Sequence, residues 1–413
     1  MKKHLLYLLI TFFPLLAASQ PKQELIVKNR IDHLSTLARE PMIAQHPNGN
    51  LFLTGYRNDS DSPQLWKSID LGKNWEAVDV GSYQEGAQGN SDVDLLIDED
   101  GVIYFLSMTY TKIPSDLTGF DFSSLKGEQI TLGISRDEGN TWKWQNISKG
   151  AYDDRPWIRK TTNGDLHIIW NDGQGVHHSR STDQGETWKR QAKIAPKGGS
   201  SFLAQGHNGQ LAARIAPLSA SGNKIDKGVD LVRLSLDNGK SWQDVPLPGT
   251  RAWTQDFSGI PRWVEPLSFD QKGRLYTLWS EGQQLKMGIS SDNGQNWTEQ
   301  LIAESQDTIY YPYMETKGEY TLCTWVAGFN ERIRHHAAVI QFGQEKLQVF
   351  QLEPQKLDIR SRFQIGDNQL STGGEYFPII RLSNGNFGMA TTIKNKTAGR
   401  LGFTWWELIL NKY

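Results

Sequence analysis

Short apolar runs rich in Val, Ile, Leu and aromatic residues alternate along the chain with polar clusters of Gly, Asn and Asp. Such runs predict β-strands joined by tight turns, and no segment shows the 3.6-residue period of an amphipathic helix. Two runs joined by a turn glycine form a unit that recurs seven times. The turn glycines are Gly49, Gly101, Gly164, Gly209, Gly273, Gly318 and Gly385. The pattern therefore predicts an all-β protein built from a repeated small sheet.

A second repeat, Ser-x-Asp-x-Gly-x-x-Trp, is interleaved with these units and occurs five times. Ser and Asp side chains accept backbone N–H groups within tight turns, glycine supplies a positive φ, and the Trp packs into an adjacent sheet. Five carboxylates spread along the chain cannot converge on one site, so we interpret these turns as structural. The five aspartates are Asp70, Asp137, Asp183, Asp237 and Asp292.

The spacing of the repeats predicts a β-propeller with seven four-stranded blades. The five aspartates lie on average about 56 residues apart, and residues 20–413 divide into seven units of about that length. Repeats of about 50 residues are typical of propeller blades. Six blades are the alternative, but they would leave about 60 residues unassigned. The last unit has three strands, so we expect residues 24–31 to supply the fourth and close the ring.

The N-terminus has the features of a secretory signal peptide. A basic segment, Met1–His4, precedes an apolar run, Leu5–Leu16, and the small residues Ala17-Ala18-Ser19 follow. The apolar run is shorter than the ~20 residues that a membrane-spanning helix needs. We predict cleavage after residue 19, one propeller domain over residues 20–413, and an exported protein that is periplasmic or secreted.

The composition narrows the possible partners. The chain has 44 Lys and Arg against 46 Asp and Glu, a net charge of −2, so no basic stripe favours nucleic acid. Its one cysteine, Cys323, cannot form an internal disulfide, so stability must come from packing. No later apolar run reaches membrane length. We expect no membrane span, no cofactor, no metal, and a monomer.

The five aspartate turns resemble the Asp-boxes, or bacterial neuraminidase repeats, of the sialidase superfamily, and the resemblance covers essentially the whole mature chain. Asp-boxes also occur in other glycosidases, in glycan lyases and in non-enzymatic propellers. Sialidases open their first inner strand with Arg-x-Pro, which Arg39-Glu40-Pro41 resembles. The resemblance implies that Asp92 is an acid/base, that Tyr376 is a nucleophile, and that Glu265 is the partner of that tyrosine.

Three features depart from the sialidase pattern. Sialidases hold the substrate carboxylate with three arginines, but Trp279-Ser280-Glu281 and Tyr310-Tyr311-Pro312 stand where the second and third are expected. Sialidases also have six blades, whereas we count seven here.

The related seven-bladed lyases depend on histidines, and no matching pair of histidines lies at the inner-strand starts of this chain. We interpret His167, His177 and His178 as packing or exposed strand residues.

Propellers bind ligands at one end of the central channel, where the inner strands begin. For glycoside cleavage, one acidic group with a raised pKa could act as the general acid while a second is ionised. A tyrosine could act as nucleophile, and arginines could hold a carboxylate or sulfate. Each candidate also has a structural alternative, as an ion-pair partner, a turn cap or a packed aromatic. The candidates are Arg39, Glu40, Asp92, Asp94, Asp153, Asp154, Arg155, Arg262, Glu265, Tyr310, Tyr311, Glu375 and Tyr376.

The leading hypothesis is an exported, sialidase-like glycoside hydrolase that acts on terminal or acidic sugars of extracellular glycans. The alternatives are a non-catalytic glycan-binding propeller and a uronate-directed polysaccharide lyase. The predicted catalytic residues are Asp92, Glu265 and Tyr376, and the predicted substrate-binding residues are Arg39, Asp154, Arg155, Arg262, Tyr311 and Glu375.

Overall fold

The chain forms seven antiparallel sheets arranged as the blades of a β-propeller. The computed structural model describes residues 23–33, 39–57, 60–112, 124, 126–217, 229–249, 265–328, 334–342, 347–352, 355–356, 375–394 and 401–412. Among these residues the helical assignments are a single 3₁₀ turn, Tyr83–Glu85, and one isolated 3₁₀ residue, Ser124. Over the same ranges, no helix has the length and apolar character needed to cross a bilayer. The predicted signal peptide lies outside the described residues.

The strands are short, as expected from the spacing of the turn residues. In chain order they are β1 (Gln23–His33), β2 (Met42–Gln45), β3 (Leu51–Gly55), β4 (Gln64–Ser68), β5 (Glu76–Ala77), β6 (Ser91–Ile97), β7 (Ile103–Tyr110), β8 (Gly127–Ser135), β9 (Lys143–Ser148), β10 (Asp154–Lys160), β11 (Leu166–Asn171), β12 (Val176–Ser181), β13 (Lys189–Arg190), β14 (Gly199–Gln205), β15 (Leu211–Ala216), β16 (Leu231–Ser235), β17 (Gln243–Pro246), β18 (Leu267–Phe269), β19 (Leu275–Glu281), β20 (Gln284–Ser290), β21 (Thr298–Glu304), β22 (Ile309–Lys317), β23 (Tyr320–Ala327), β24 (Arg334–Phe342), β25 (Leu347–Gln351), β26 (Gln355–Lys356), β27 (Ile379–Arg381), β28 (Phe387–Lys394) and β29 (Leu401–Lys412).

Each blade runs from an inner strand at the channel to an outer strand at the rim. Blades 1 to 6 use consecutive strands, and β26 pairs with β24 in the sixth blade. The last two blades are complete even though they lack the aspartate turn. The seven-bladed prediction is therefore confirmed. From inner to outer strand the blades are β2–β5, β6–β9, β10–β13, β14–β17, β18–β21, β22–β25 and β27-β28-β29-β1.

The N-terminal strand closes the ring. Strand β1 is antiparallel to β29, with Glu24 opposite Asn411 and Asp32 opposite Thr404. The seventh blade therefore takes three strands from the C-terminal end of the chain and its outer strand from the N-terminal end. This pairing was expected for residues 24–31, and it removes the free edge that an open ring would leave.

The five aspartate turns share one set of hydrogen bonds. The serine hydroxyl donates to Oδ1 of the aspartate at 2.7–2.9 Å. The same Oδ1 accepts the backbone N–H four residues later at 2.9 Å. The glycine N–H donates to the serine Oγ at 2.8–2.9 Å. These contacts satisfy the polar groups of each turn locally, which agrees with a structural role.

The glycines of these turns also allow neighbouring blades to come close together. A Cβ atom on Gly72 would lie 2.2 Å from Nε1 of Trp405 in the seventh blade. A Cβ on Gly294 would lie 2.2 Å from Cγ1 of Val245 in the fourth blade. Both glycines have a positive φ, 85° and 78°. Each of these two turns therefore packs against the preceding blade, at a position where no larger residue fits.

Large apolar side chains fill the spaces between blades. They are buried because both faces of each sheet are covered by neighbouring sheets. Cys323 is free and buried, so packing rather than a disulfide holds the blades together. Arg214 is the only charged residue among the largest fully buried side chains of the described chain. The others are Trp157, Trp170, Trp279, Trp325, Trp405, Trp406, Tyr104, Tyr276, Phe52 and Phe105.

Candidate functional site

An open cavity of about 230 Å³ lies at the end of the channel where the inner strands begin. Blades 1, 2, 3 and 7 contribute its walls, and almost all of its lining is polar. The lining residues are Arg39, Glu40, Tyr56, Ser91, Asp92, Met108, Tyr110, Lys126, Gly127, Tyr152, Asp154, Arg155 and Glu375. Five of the predicted site residues therefore meet here, namely Arg39, Asp92, Asp154, Arg155 and Glu375.

Irregular backbone at the inner-strand starts presents these side chains. The pairing of β6 with β7 skips Asp92, and the pairing of β10 with β11 shifts register at Arg155. Similar irregularities lie at Ser201 in β14 and at Tyr311 in β22. A β-bulge frees one residue from the ladder and can re-aim its side chain, and bulges are common beside functional sites.

Three residues at the same end of the channel have a strained backbone. Glu40, Arg155 and Tyr311 have positive φ values of 51°, 48° and 52°, and each immediately precedes a proline. A residue before proline prefers the extended region, and a non-glycine residue with positive φ costs about 1–3 kcal/mol. Strain of this kind persists only where the surrounding structure enforces it, and it is common at ligand sites.

A tyrosine–carboxylate pair forms one wall of the cavity. Tyr56 Oη donates a 2.8 Å hydrogen bond to Oε2 of Glu40, and the backbone N–H of Glu375 donates a 3.0 Å bond to Oε1 of that carboxylate. The guanidinium of Arg39 lies 5.6 Å from the centre of the Tyr56 ring. Burial is the main cause that raises the pKa of the Tyr56 phenol well above its ordinary value, while Arg39 opposes the rise.

Asp92 has an environment suited to a general acid. Burial raises the pKa of its carboxyl well above the ordinary value, and the nearby carboxylates of Glu40 and Asp154 raise it further. Arg155 opposes this rise. Burial likewise raises the pKa of Asp154, against the effects of Arg155 and of a hydrogen bond from Asn171. Burial and neighbouring carboxyl groups therefore favour the protonated form of Asp92.

Two arginines give the cavity positive charge. Arg155 Nη2 lies 4.0 Å from Oε2 of Glu375, and the side chains of both residues remain partly exposed. Partial desolvation lowers the pKa of Arg155, but Asp154 and Glu375 favour the cation more strongly, so the pKa is raised overall. The pKa of Arg39 is raised similarly by Tyr56 and Glu40. Both guanidiniums therefore stay charged next to the carboxyl groups.

Tyr376 lies behind this cavity and does not line it. Its side chain is 2% exposed and packs edge-to-face against Trp157, with ring centres 5.5 Å apart. Burial raises the pKa of the phenol well above its ordinary value, and Asp92, Glu40 and Glu375 raise it further. Tyr376 is therefore within electrostatic range of the predicted acid Asp92, although it is almost inaccessible to solvent.

Glu265 is engaged elsewhere, at the junction of blades 4 and 5. Its Oε2 accepts hydrogen bonds from Nε and Nη2 of Arg214, at 3.0 and 2.6 Å. The Glu265 backbone N–H donates to Ser201 Oγ at 3.0 Å. Arg214 also pairs with Asp230. These contacts of Glu265 belong to a buried ion-pair network, and none of them is made to Tyr376, its expected partner.

Three further candidates, Asp94, Asp153 and Tyr311, do not line the cavity. Asp94 accepts bonds from Ile158 N–H and from Arg159, at 2.9 and 2.7 Å, and so joins blades 2 and 3. Asp153 accepts a 3.2 Å bond from Trp170 Nε1. Tyr311 is 6% exposed and belongs to blade 6. Arg262 lies outside the described residues, as does the side chain of Tyr310.

The three neighbouring histidines pack inside the third blade, as expected. The rings of His167 and His178 are stacked, and Nδ1 of the first lies 3.0 Å from Nε2 of the second. His177 pairs with Asp172 at 2.6 Å. No group of three or more potential metal ligands occurs in the part of the chain that the structure describes.

Sequence reasoning missed seven residues that line the cavity, and four of them carry a phenol or a charge: Tyr56, Tyr110, Lys126 and Tyr152. None of these four begins an inner strand, which was the criterion for choosing candidates. Tyr56 follows the second strand of blade 1, and its N–H bonds to the Arg39 carbonyl at 3.2 Å. Such residues reach the same end of the channel because the loop that joins the second strand of a blade to its third strand lies there. A search of second-strand ends would have found Tyr56 and Tyr110.

No protein-family profile and no curated protein sequence matches the chain. Its similarity to known proteins is structural. A structure of YCF48 bound to a D1 peptide matches with a TM-score of 0.52 at 15% identity, covering 92% of this chain and 94% of that one. A copper-bound fungal alcohol oxidase of the AA5 family matches with a TM-score of 0.57 at 10% identity, covering 94% and 76%.

Propellers that act on glycans are also among the similar structures. A PL25 ulvan lyase bound to -[GlcA(1-4)Rha3S]- has a TM-score of 0.49 at 13% identity, covering 93% of this chain and 96% of that one. Sialidases match with TM-scores of 0.42–0.45. At these identities the likeness establishes the fold alone. The two structures with TM-scores above 0.5 contain a bound peptide and copper, so function must be argued from the site.

Proposed function

We propose that this protein is a glycoside hydrolase that removes a terminal sugar from an extracellular glycan at the cavity described above. The observation that carries the proposal is the Tyr56–Glu40 hydrogen bond of 2.8 Å beside Asp92, whose pKa is raised, in one open cavity. A protonated carboxyl, an ionised carboxyl and a phenol are the groups that a retaining mechanism with a tyrosine nucleophile requires.

The first step forms a glycosyl–tyrosine bond. Tyr56 Oη attacks the anomeric carbon and its proton passes to Glu40. Asp92 donates its own proton to the glycosidic oxygen, which leaves as an alcohol. In the second step the Asp92 carboxylate takes a proton from water, and the water oxygen attacks the anomeric carbon. The glycosyl–tyrosine bond breaks, and Glu40 returns its proton to the departing Tyr56 phenolate. Both carboxyl groups end in their starting states, so the cycle balances.

Tyr56 replaces Tyr376 as the nucleophile in this proposal, and Glu40 replaces Glu265 as its base. Tyr56 lines the cavity and holds a carboxylate, whereas Tyr376 lies behind the cavity and Glu265 is bonded to Arg214. Tyr376 remains close enough to Asp92 to affect charge in the site. The two assignments are distinguishable by mutation.

The size and charge of the cavity support a terminal and acidic sugar. About 230 Å³ is less than the ~300–1,000 Å³ of sites for drug-sized ligands, so it suits one sugar unit and not a long chain. Arg39 and Arg155 can hold a carboxylate or sulfate through paired N–H groups. Tyr110, with a pKa raised to about 12 by burial and by Asp154, stays a neutral donor for sugar hydroxyls.

The test is to incubate the protein with a panel of acidic and neutral glycans. Hydrolysis predicts new reducing sugar without the ultraviolet absorbance of an unsaturated uronate. Appearance of that absorbance would instead support a lyase, and binding without turnover would support a glycan-binding module. Tyr56→Phe should abolish turnover. Retained turnover in Tyr56→Phe together with its loss in Tyr376→Phe would return the nucleophile role to Tyr376.

We also propose that the protein is exported after removal of residues 1–19. The support is the sequence alone, with its basic, apolar and small-residue segments. Expression in a bacterial host with separation of periplasm and medium from cytoplasm provides the test. N-terminal sequencing of the exported product should begin at Gln20, and retention of the full-length chain in the cytoplasm would contradict the proposal.

A further inference from the structure

The rim of the cavity carries an exposed aromatic side chain beside a cation. Tyr152 lies between β9 and β10, is 43% exposed, and lines the cavity together with Lys126. Most tyrosines of the described chain are more deeply buried, and an exposed large aromatic at the edge of a polar cavity offers a flat face for a sugar ring. This rim lies outside the tyrosine–carboxylate pair, in the direction of bulk solvent.

Backbone contacts hold Tyr152 at this position. Its N–H donates a 2.8 Å hydrogen bond to the carbonyl of Gly127, which follows Lys126 directly. Gly127 has no room for a side chain, because a Cβ there would lie 1.6 Å from the Asp153 carbonyl oxygen. Tyr152 has a positive φ of 72°. The two segments are therefore fixed in close contact, and Tyr152 and Lys126 line the same cavity.

Lys126 differs from the two arginines of the cavity. Arg155 faces Glu375 at 4.0 Å, and the charge of Arg39 is balanced by Glu40. Among the residues that the structure describes, no carboxylate forms an ion pair with the Lys126 ammonium. A lysine on a cavity wall without a carboxylate partner is suited to an anionic group on a ligand.

We propose that Tyr152 and Lys126 form a subsite for the second sugar of the glycan, the one that leaves, and that this sugar carries an anionic substituent. The Tyr152 ring stacks on the sugar, and the Lys126 ammonium pairs with its sulfate or carboxylate. The inference rests on the proposed function, since it deepens the assignment of the same cavity. It makes the enzyme selective for glycans in which an anionic sugar precedes the terminal one.

An array of paired oligosaccharides tests the subsite. The two members of each pair share the same terminal sugar and differ only in the second sugar. That sugar is either sulfated or desulfated, or it is a uronate or its carboxyl-reduced form, and binding is measured on ice to limit turnover. The wild-type protein should prefer the anionic member. Tyr152→Ala should weaken binding of both members about 3- to 10-fold, the loss of one aromatic contact. Lys126→Gln should remove the preference, a change of up to about fivefold for a partly exposed ion pair.

Matched variants separate the subsite from a structural effect. Tyr152→Phe keeps the ring and should bind like the wild type, and Lys126→Arg should keep the preference for anionic glycans. Tyr83→Ala removes a similarly exposed tyrosine, 47% exposed, that does not line the cavity, and should change nothing. The sulfate and uronate pairs show which anion the lysine recognises.

The possible failures are distinguishable. Binding that is unchanged in both Tyr152→Ala and Lys126→Gln overturns the subsite while the proposed hydrolase stands. A preference for the neutral member of each pair overturns the anionic second sugar. If no glycan on the array binds, the subsite is overturned, and the turnover panel with reducing-sugar detection then decides separately whether the hydrolase proposal also fails.

Discussion

The phenol of Tyr56 and the carboxylate of Glu40 are joined by a 2.8 Å hydrogen bond across the mouth of the first blade. Glu40 has a φ of 51° and immediately precedes a proline, and Tyr56 follows the second strand of the same blade. The backbone N–H of Glu375 fixes the other carboxylate oxygen from the seventh blade. The pair is therefore held by the closure of the ring as well as by its own hairpin.

Loss of the Tyr56 hydroxyl should remove activity with little effect on folding. Tyr56→Phe keeps the ring against Arg39 but deletes the nucleophile, so turnover of a glycan substrate should fall at least about 10³-fold. The lost hydrogen bond to a charged group should lower the free energy of unfolding by about 1.5–3 kcal/mol, which leaves the protein folded. Initial rates and thermal melting measure the two effects. Tyr376→Phe is the control, and a greater loss of rate in that variant would contradict the assignment.

Replacement of Asp92 by Asn should increase the stability of the protein but reduce its activity. Its pKa is raised in the folded protein, chiefly by burial, so the folded state binds more protons than the unfolded state between the ordinary pKa of ~3.9 and the raised value. Stability contributed by this group is present at low pH and is lost as the pH rises through that interval. Asp92→Asn cannot ionise. Its melting temperature at pH 7–8 should exceed that of the wild type, and the difference should vanish near pH 4.

The same variant should be almost inactive. An amide cannot donate a proton to the leaving oxygen, so turnover should fall about 10²–10⁴-fold. In the wild type, the rate should decline as the pH rises through the raised pKa of Asp92. A rate that is independent of pH up to strongly alkaline conditions, or an Asp92→Asn variant that is active, would contradict the role of this carboxyl as the acid.

Glu265 should matter for stability and not for the chemical step. Its carboxylate holds the fully buried guanidinium of Arg214, and removing one partner of a buried pair costs about 3–5 kcal/mol. Glu265→Gln should lower the melting temperature while the folded fraction keeps the wild-type turnover. The relevant quantity is the rate per folded molecule, obtained by scaling to the folded fraction seen in circular dichroism. A normal melting temperature with no turnover would restore Glu265 as a catalytic residue.

The aspartate turns should contribute to folding alone. Hydrogen bonds from the Thr187 hydroxyl and N–H and from the Ser181 hydroxyl hold the pKa of Asp183 at about 2. Asp183→Ala deletes all three acceptor contacts and should lower the melting temperature by roughly 2–4 °C, with unchanged glycan affinity per folded molecule. Lys189→Ala, at an exposed position in the following strand, serves as a control. Lost affinity at full stability would give the turn a functional role.

Acid should destabilise the third blade through its stacked histidines. Burial lowers the pKa of His167 to about 4 and that of His178 to about 3, both below the ordinary 6.5. The unfolded chain therefore binds more protons than the folded one below pH 6.5, and stability falls as the pH decreases from there to about 4. Melting scans from pH 4 to 7 should show this loss, with a shallower slope in His178→Gln. Equal slopes for both proteins would contradict it.

The local chemistry of the turns determined the fold. Ser, Asp and Gly at the spacing of the five turns form the same hydrogen bonds wherever they occur, because all partners lie within five residues. The seven hairpin glycines and the length of each repeat then specified seven blades. Even the closure by residues 24–31 followed from counting strands, since a three-stranded last blade leaves one edge unpaired.

Tertiary structure decided which side chains meet. The resemblance to sialidases implied that Glu265 would be the partner of Tyr376. These residues belong to blades 5 and 7, and the buried Arg214 pairs with the carboxylate of Glu265. Tyr56 meets Glu40 because a hairpin returns to the rim beside it. Bulges at Asp92 and Arg155 turn both side chains into the cavity. These contacts depend on how the seven blades are arranged around the channel and on which buried arginine pairs with each carboxylate. The sequence repeats do not specify either.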